Sequence, residues 1–224
     1  MPILRPALAF AAFPLLALLP WQAQAWPDVP LPEGSKGQMV SEHMKYNGLD
    51  MQSSRFASTE AVEDVIAFYR AKWPERTVVD QAEGKTLIGH MEGEHYVTIE
   101  IESDGAGSRG TIGILKSPAE GQTPNLGEGF YRPAGTDVVS DIIYLDTPGK
   151  TRTLVLQNRM SPYVNQQSYN QRMRAEGWKS VGSAPCRPSS LECVARFEGA
   201  GGKKMSMTMS RGEGAVTSTV VTIE

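Results

Sequence analysis

The chain has 224 residues, with 22 Lys and Arg against 25 Asp and Glu, for a net charge of −3. That mild acidity argues against nucleic-acid binding, which calls for a basic stripe, and 40% apolar with 21% charged residues excludes a disordered chain. Two cysteines are too few for a disulfide-dense scaffold or a four-cysteine zinc site.

Residues 1–25 read as a secretory leader. Arg5 supplies the positive start, Ala7–Leu19 the apolar run, Pro20 a break, and Ala23-Gln24-Ala25 a small-x-small cleavage site. The apolar run falls short of the ~20 residues a spanning helix needs. The mature chain is therefore expected to begin at Trp26, exported to the bacterial periplasm or beyond. No later run is long enough to span, so no transmembrane segment is expected after cleavage.

The first 90 or so mature residues predict a small unit. Gln38–Tyr46 reads as a strand, Asn47-Gly48 as a hairpin turn tolerant of positive φ, and Leu49–Ala57 as the return strand. A helix follows, capped by Ser58 or Thr59, with Glu60, Glu63 and Asp64 near its positive end. Val62, Val65, Ile66, Tyr69 and Trp73 share one helical face, and Pro74 ends it. Three strands complete the unit: Lys85–Met91, His95–Ser103 and Gly110–Lys116. Ser117–Gly129 is rich in Pro and Gly and reads as a linker.

The pattern then recurs. Asp137–Leu145 and Thr151–Asn158 predict a hairpin around Asp146-Thr147-Pro148-Gly149, and Val139-Ser140 aligns with Val40-Ser41. Ser161 caps a second helix with Pro162 at its first position; Gly177 closes it and Trp178 follows. Leu191–Glu198, Lys203–Ser210 and Ala215–Ile223 are the closing strands. The expected fold is α+β: two tandem ββαβββ modules, residues 26–116 and 130–224, each with one helix packed on an antiparallel sheet. Cys186 and Cys193 fall in the second unit, in Cys-Arg-Pro-Ser-Ser-Leu-Glu-Cys. In an oxidising compartment they are expected to form a local structural disulfide.

This pattern resembles a loosely defined module of exported bacterial proteins and lipoproteins. Phe68-Tyr69 with Trp73, and Tyr169 with Gly177-Trp178, carry the resemblance; Ser168 departs from it by replacing the expected Phe. The resemblance implies an envelope protein and brings no activity with it.

Most candidate chemistry fails on context. Gly105–Gly110 matches G-x-G-x-x-G, but a strand follows where a dinucleotide fold needs a helix, so it reads as a β-turn. Met205, Met207 and Met209 alternate and could offer thioethers to Cu(I). Their counterparts Val97, Ile99 and Ile101 form an ordinary apolar strand face, which favours core packing. His90 and His95, with Glu92 and Glu94, flank a turn at Gly93 and are the alternative metal set; a solvated hairpin tip is the plainer reading. His43 is a lone strand histidine. No Gly-x-Ser-x-Gly elbow exists, and nothing in the spacing supports a triad around any of the three histidines.

The second helix carries amides where the first carries apolar residues. Asn165, Gln166, Tyr169 and Asn170 are the candidate contact face, set against a plain solvated helix side. The favoured function is a non-enzymatic, exported cell-envelope binding or scaffold component, without a cofactor, that engages an envelope protein partner and no nucleic acid. The alternatives are a periplasmic small-ligand or copper-handling protein and, third, a hydrolase of envelope polymers.

Overall fold

The structure, a computed structural model, describes residues 26–82, 84–121, 123–182 and 185–224. The leader expected at 1–25 lies outside the described residues. The first-half elements are β1 (Lys36–Tyr46), β2 (Leu49–Ser58), α1 (Val62–Lys72), β3 (Thr77–Ala82), β4 (Lys85–Glu92), β5 (His95–Asp104) and β6 (Gly107–Lys116). The second half contains β7 (Asp137–Tyr144), β8 (Arg152–Asn158), α2 (Pro162–Ala175), β9 (Lys179–Ser180), β10 (Glu192–Glu198), β11 (Lys204–Arg211) and β12 (Thr217–Ile223). Among the described residues no helix is long and apolar enough to cross a membrane.

Among the described residues all twelve strands belong to one sheet, in the order β3-β4-β5-β6-β2-β1-β7-β8-β12-β11-β10-β9. This corrects the expected α+β class and its two ββαβββ modules: the protein is mostly one antiparallel sheet carrying two helices. Two features account for the difference. A strand follows each helix, six residues in β3 and two in β9, and their patterns are too short or irregular to show period two. Meanwhile β1 pairs antiparallel with β7 (Met44 with Tyr144, Lys45 with Ile143, Tyr46 with Ile142), so the sheet runs through without a break. Read outward from that seam, both sides have the same strand order.

Side-chain alternation places both cores on one face of the sheet. Phe56, Ile88, Val97, Ile99, Ile101 and Ile112 pack under Val65 and Tyr69 of α1. Leu154, Leu156, Phe197, Met205, Met207 and Met209 pack with Tyr169 and Met173 of α2. Parity carries across the seam, because Met44 and Tyr144 are direct partners and both point away from the cores. The N-cap of α1 is Ala61, without a side-chain cap; the expected Ser58 instead accepts from the Glu60 N–H at 3.1 Å. Ser161 caps α2 as expected, accepting from the Val164 N–H at 3.2 Å. The aligned Val-Ser pairs mark matched irregularities: the register shifts between Met39 and Ser41 on β1 and between Val138 and Ser140 on β7.

The seam is polar on the helix side. Asp141 lies buried at 7% side-chain exposure and takes a bidentate pair from Arg152, at 2.9 Å from Nε and 2.7 Å from Nη2. The same carboxylate accepts from the Gly127 N–H at 2.9 Å, while Asn47 and Asp141 exchange two further bonds of 2.8 Å across the seam. Burial alone would raise the Asp141 pKa, but the Arg152 hydrogen bond, the Gly127 N–H and the Arg152 charge hold it below the usual carboxylate range. Asp146 closes the irregular stretch of β1, accepting from the Ser41 hydroxyl at 3.0 Å and the Glu42 N–H at 2.8 Å. Against an opposing desolvation effect, those bonds and one from the His43 N–H lower its pKa too. The linker therefore ends as part of the seam, since Gly127 donates to Asp141 and Arg152 Nη1 donates to the Glu128 carbonyl at 3.0 Å.

Candidate binding site

The two cores occupy the helix side of the sheet, and the opposite face carries no helix. On the first half that bare face has a definite layout. Direct cross-strand partners Met91–Tyr96–Leu115–Met51–Met44–Tyr144 form one row across β4, β5, β6, β2, β1 and β7. The next row, on β4, β5, β6 and β2, is Gly89–Thr98–Gly113–Ser53, small throughout. Charge dominates beyond it, with Lys85–Glu100 at 2.6 Å and Arg109–Glu102 at 2.8 Å. The Arg109 hydrogen bond lowers the Glu102 pKa, keeping that carboxylate ionised.

The glycines shape this surface. A Cβ at Gly89 would collide with the Tyr96 hydroxyl, and one at Gly113 would come within 2.5 Å of Met51 Cε. Their absence lets the Tyr96 ring and the Met51 thioether lie down along the sheet. The result is a groove of about 350 Å³. One wall is Tyr46, Tyr96, Leu115 and Met51; the other is Thr98, Thr111 and Glu100, with Gly113 in the floor. Among the described residues, no protein group hydrogen-bonds the hydroxyls of Tyr46, Tyr96, Thr98 or Thr111. Tyr96 is 41% exposed, large for a ring set on an ordered central strand.

The structure distributes the residues singled out from sequence differently. Asn165, Gln166 and Tyr169 do not form an outward contact face: all three are buried against the sheet, and only Asn170 is half-buried. The amides take core positions because each finds partners there. Asn158 Nδ2 donates to Asn165 Oδ1 at 2.7 Å and Asn165 Nδ2 donates back to Asn158 Oδ1 at 2.9 Å, while Gln166 Nε2 donates to the Val194 carbonyl at 2.9 Å. The outward side of α2 carries Val164 and Gln167 instead.

Met205, Met207 and Met209 point into the second core and are almost wholly buried. His90 and His95 are also buried, which corrects the solvated-tip reading. The His90 ring stacks on Trp73 at 4.4 Å and 6°, and the His95 ring lies 5.1 Å from Trp26. Among the described residues no group of three or more His, Cys, Asp or Glu is placed to hold a metal. Cys186 and Cys193 are disulfide-bonded with their Cα atoms 5.4 Å apart, tying the loop before β10 to a buried strand position. Gly105–Gly110 spans the β5–β6 turn, with Gly105 at φ 63°.

The groove itself went unread in the sequence. Its signal was the second period of β5: Tyr96, Thr98 and Glu100 alternate with the core residues Val97, Ile99 and Ile101. An aromatic ring on the solvent side of such a strand is the informative residue, but only pairing with β6 and β2 shows what stands beside it. No protein-family model, curated protein or solved structure matches the chain.

Proposed function

We propose that the chain is a non-enzymatic, exported cell-envelope protein that binds another envelope component through the bare face of its sheet. One observation carries this reading: the face opposite both helices presents the exposed rings of Tyr46 and Tyr96 beside a glycine-floored groove, with four hydroxyls that bond no protein group among the described residues. Exposed clusters of that kind mark binding surfaces more than solvated sheet faces do. The disulfide and the leader-like residues 1–25 support placement in the periplasm or outside the cell.

The groove chemistry favours binding over hydrolysis. Glu100 and Glu102 share a face two residues apart, about 7 Å along a strand, a spacing that carboxylate pairs of glycoside hydrolases also use. Such a pair needs one acid held protonated by a raised pKa. Here Glu100 is ion-paired with Lys85, and Arg109 shifts Glu102 the opposite way. The copper reading has no support from the buried methionines.

Site-specific photocrosslinking in intact cells tests the proposal. A crosslinking residue at position 96 or 98 should yield an adduct, and one at the exposed helix-side positions 70 or 167 should not. Adducts confined to the helix side, or none at either bare-face position, would refute it.

A further inference from the structure

We infer that the groove walled on one side by Tyr46 and Tyr96 is a carbohydrate subsite that takes a neutral, polyhydroxylated ring. The inference rests on the bare face being the binding surface and names what it binds.

Size comes first. At about 350 Å³ the groove stands near the lower end of ligand pockets, which run from about 300 to 1,000 Å³. It fits one or two sugar rings and not a folded protein element. Its two walls also differ in kind. Tyr96 and Tyr46, set beside the apolar Leu115 and Met51, offer aromatic faces carrying partial negative charge, against which the weakly positive C–H face of a pyranose packs. Across the floor, Thr98 and Thr111 offer hydroxyls able both to donate and to accept, and Glu100 offers acceptor oxygens. A sugar ring has this same two-sidedness, with C–H groups on its face and hydroxyls around its rim.

Charge narrows the class. The charged side chain lining the groove is Glu100, which already pairs with Lys85 at 2.6 Å. A phosphate or carboxylate ligand would meet a carboxylate, so an anionic headgroup does not suit it. An acyl chain would strip water from Thr98, Thr111 and Glu100 without replacing it, and each such loss costs affinity. An extended peptide bonds to sheet edges through its backbone, whereas β5, β6 and β2 are interior strands whose edges are occupied. A neutral glycan satisfies both walls together.

The glycines give the site its shape. Gly113 leaves the floor open, and Gly89 makes room for the Tyr96 hydroxyl to lie over β4. Any side chain at position 89 would lift Tyr96 out of the platform geometry.

The test is an NMR titration of the uniformly ¹⁵N-labelled mature chain with chitotriose, cellotriose and maltotriose to millimolar concentration. At least one probe should give saturable shifts centred on Tyr96, Thr98, Thr111 and Gly113. Tyr96→Ala should weaken that probe by about tenfold or more, equivalent to about 1.4 kcal/mol. Thr98→Val with Thr111→Val keeps volume and strand propensity, so it should fold normally and lose at least as much affinity. The inference fails if no probe moves these residues, or if the moved residues keep full affinity in the folded variants. Release of shorter saccharides would overturn it as a binding subsite, and the non-enzymatic reading with it. A protein adduct from position 96 without glycan binding would refute the carbohydrate assignment alone. No adduct and no glycan binding would remove both readings.

Discussion

The two halves share a strand order outward from the seam but use it differently. In the first, α1 buries an apolar stripe and extends it as an aromatic stack: Tyr69 lies 5.1 Å from Trp73 at 21°, and Trp73 lies 4.4 Å from His90. In the second, α2 buries Asn165 and Gln166 beside Tyr169, and β11 supplies three methionines. The bare faces diverge as well. The first carries the Tyr96 groove; the second carries rows such as Thr153–Thr222–Ser206–Arg196, hydroxylated but without a large ring. One backbone plan therefore accommodates either apolar packing or hydrogen-bonded amides beneath a helix. The groove beside Tyr96 lies on the side the helices do not touch.

The largest expected difference tests the stack. Tyr69→Ala should cost about 4–5 kcal/mol, the upper range for an aromatic truncation, because Phe68 and Trp73 both lose a ring partner. Tyr169→Ala should cost nearer ~3 kcal/mol, since its partners Phe130 and Tyr131 stand farther away, at 6.1 and 6.0 Å. Urea denaturation of both variants measures the gap, and equal losses would remove the distinction between the cores.

Next in size is the seam that joins the halves. Asp141→Asn breaks a buried pair and should cost about 3 kcal/mol, toward the lower end because Arg152 keeps 19% side-chain exposure. The pH dependence has a defined sign. Asp141 and Asp146 have lowered pKa values in the folded chain, so their contribution is complete above about pH 4, the ordinary Asp value. It is lost as pH falls through the lowered folded values. Stability measured between neutral and acid pH should thus fall less steeply in Asp141→Asn than in the parent, and an unchanged acid slope would contradict the seam electrostatics.

Asn165→Ala should cost about 1 kcal/mol by removing the two bonds exchanged with Asn158, whose amide still donates to Thr136 and accepts from the Met160 N–H. Thermal unfolding checks this; a neutral result would mean that the buried amides are interchangeable with apolar side chains. The smallest contrast lies in two hydroxyls. Tyr69 donates to the Pro30 carbonyl at 3.0 Å, whereas the Tyr169 hydroxyl is buried without a partner among the described residues. Tyr69→Phe should lose about 1 kcal/mol, and Tyr169→Phe should be neutral or stabilising. Burial raises both phenol pKa values, so neither ionises near neutral pH.

Local patterns in the sequence were sufficient for the hairpins, both helices, the cysteine pair and the core role of Met205, Met207 and Met209. Those features depend on period, turn chemistry or capping within a few residues. β3 and β9 were hidden because runs of six and two residues are too short to establish period two. The seam was hidden because Met44 and Tyr144 meet only in the folded sheet. The amides of α2 misled for a different reason: polarity reports exposure only when no buried partner waits, and Asn158 does. The groove combines one residue legible as unusual, Tyr96, with neighbours supplied by strands far apart in the chain.

The seam also bears on the order in which the chain assembles. Asn47 and Asp141 are separated by 94 positions, whereas each hairpin closes across a few residues. Closing the longer span costs more chain entropy before its contacts form. The hairpins and their helices can gather first, leaving β1 and β7 to meet last through three residue pairs and the Asp141 network. Substitutions at Asp141 or Arg152 should therefore speed unfolding while leaving the folding rate almost unchanged. The contact that makes the sheet continuous would also be the first to open when the protein unfolds.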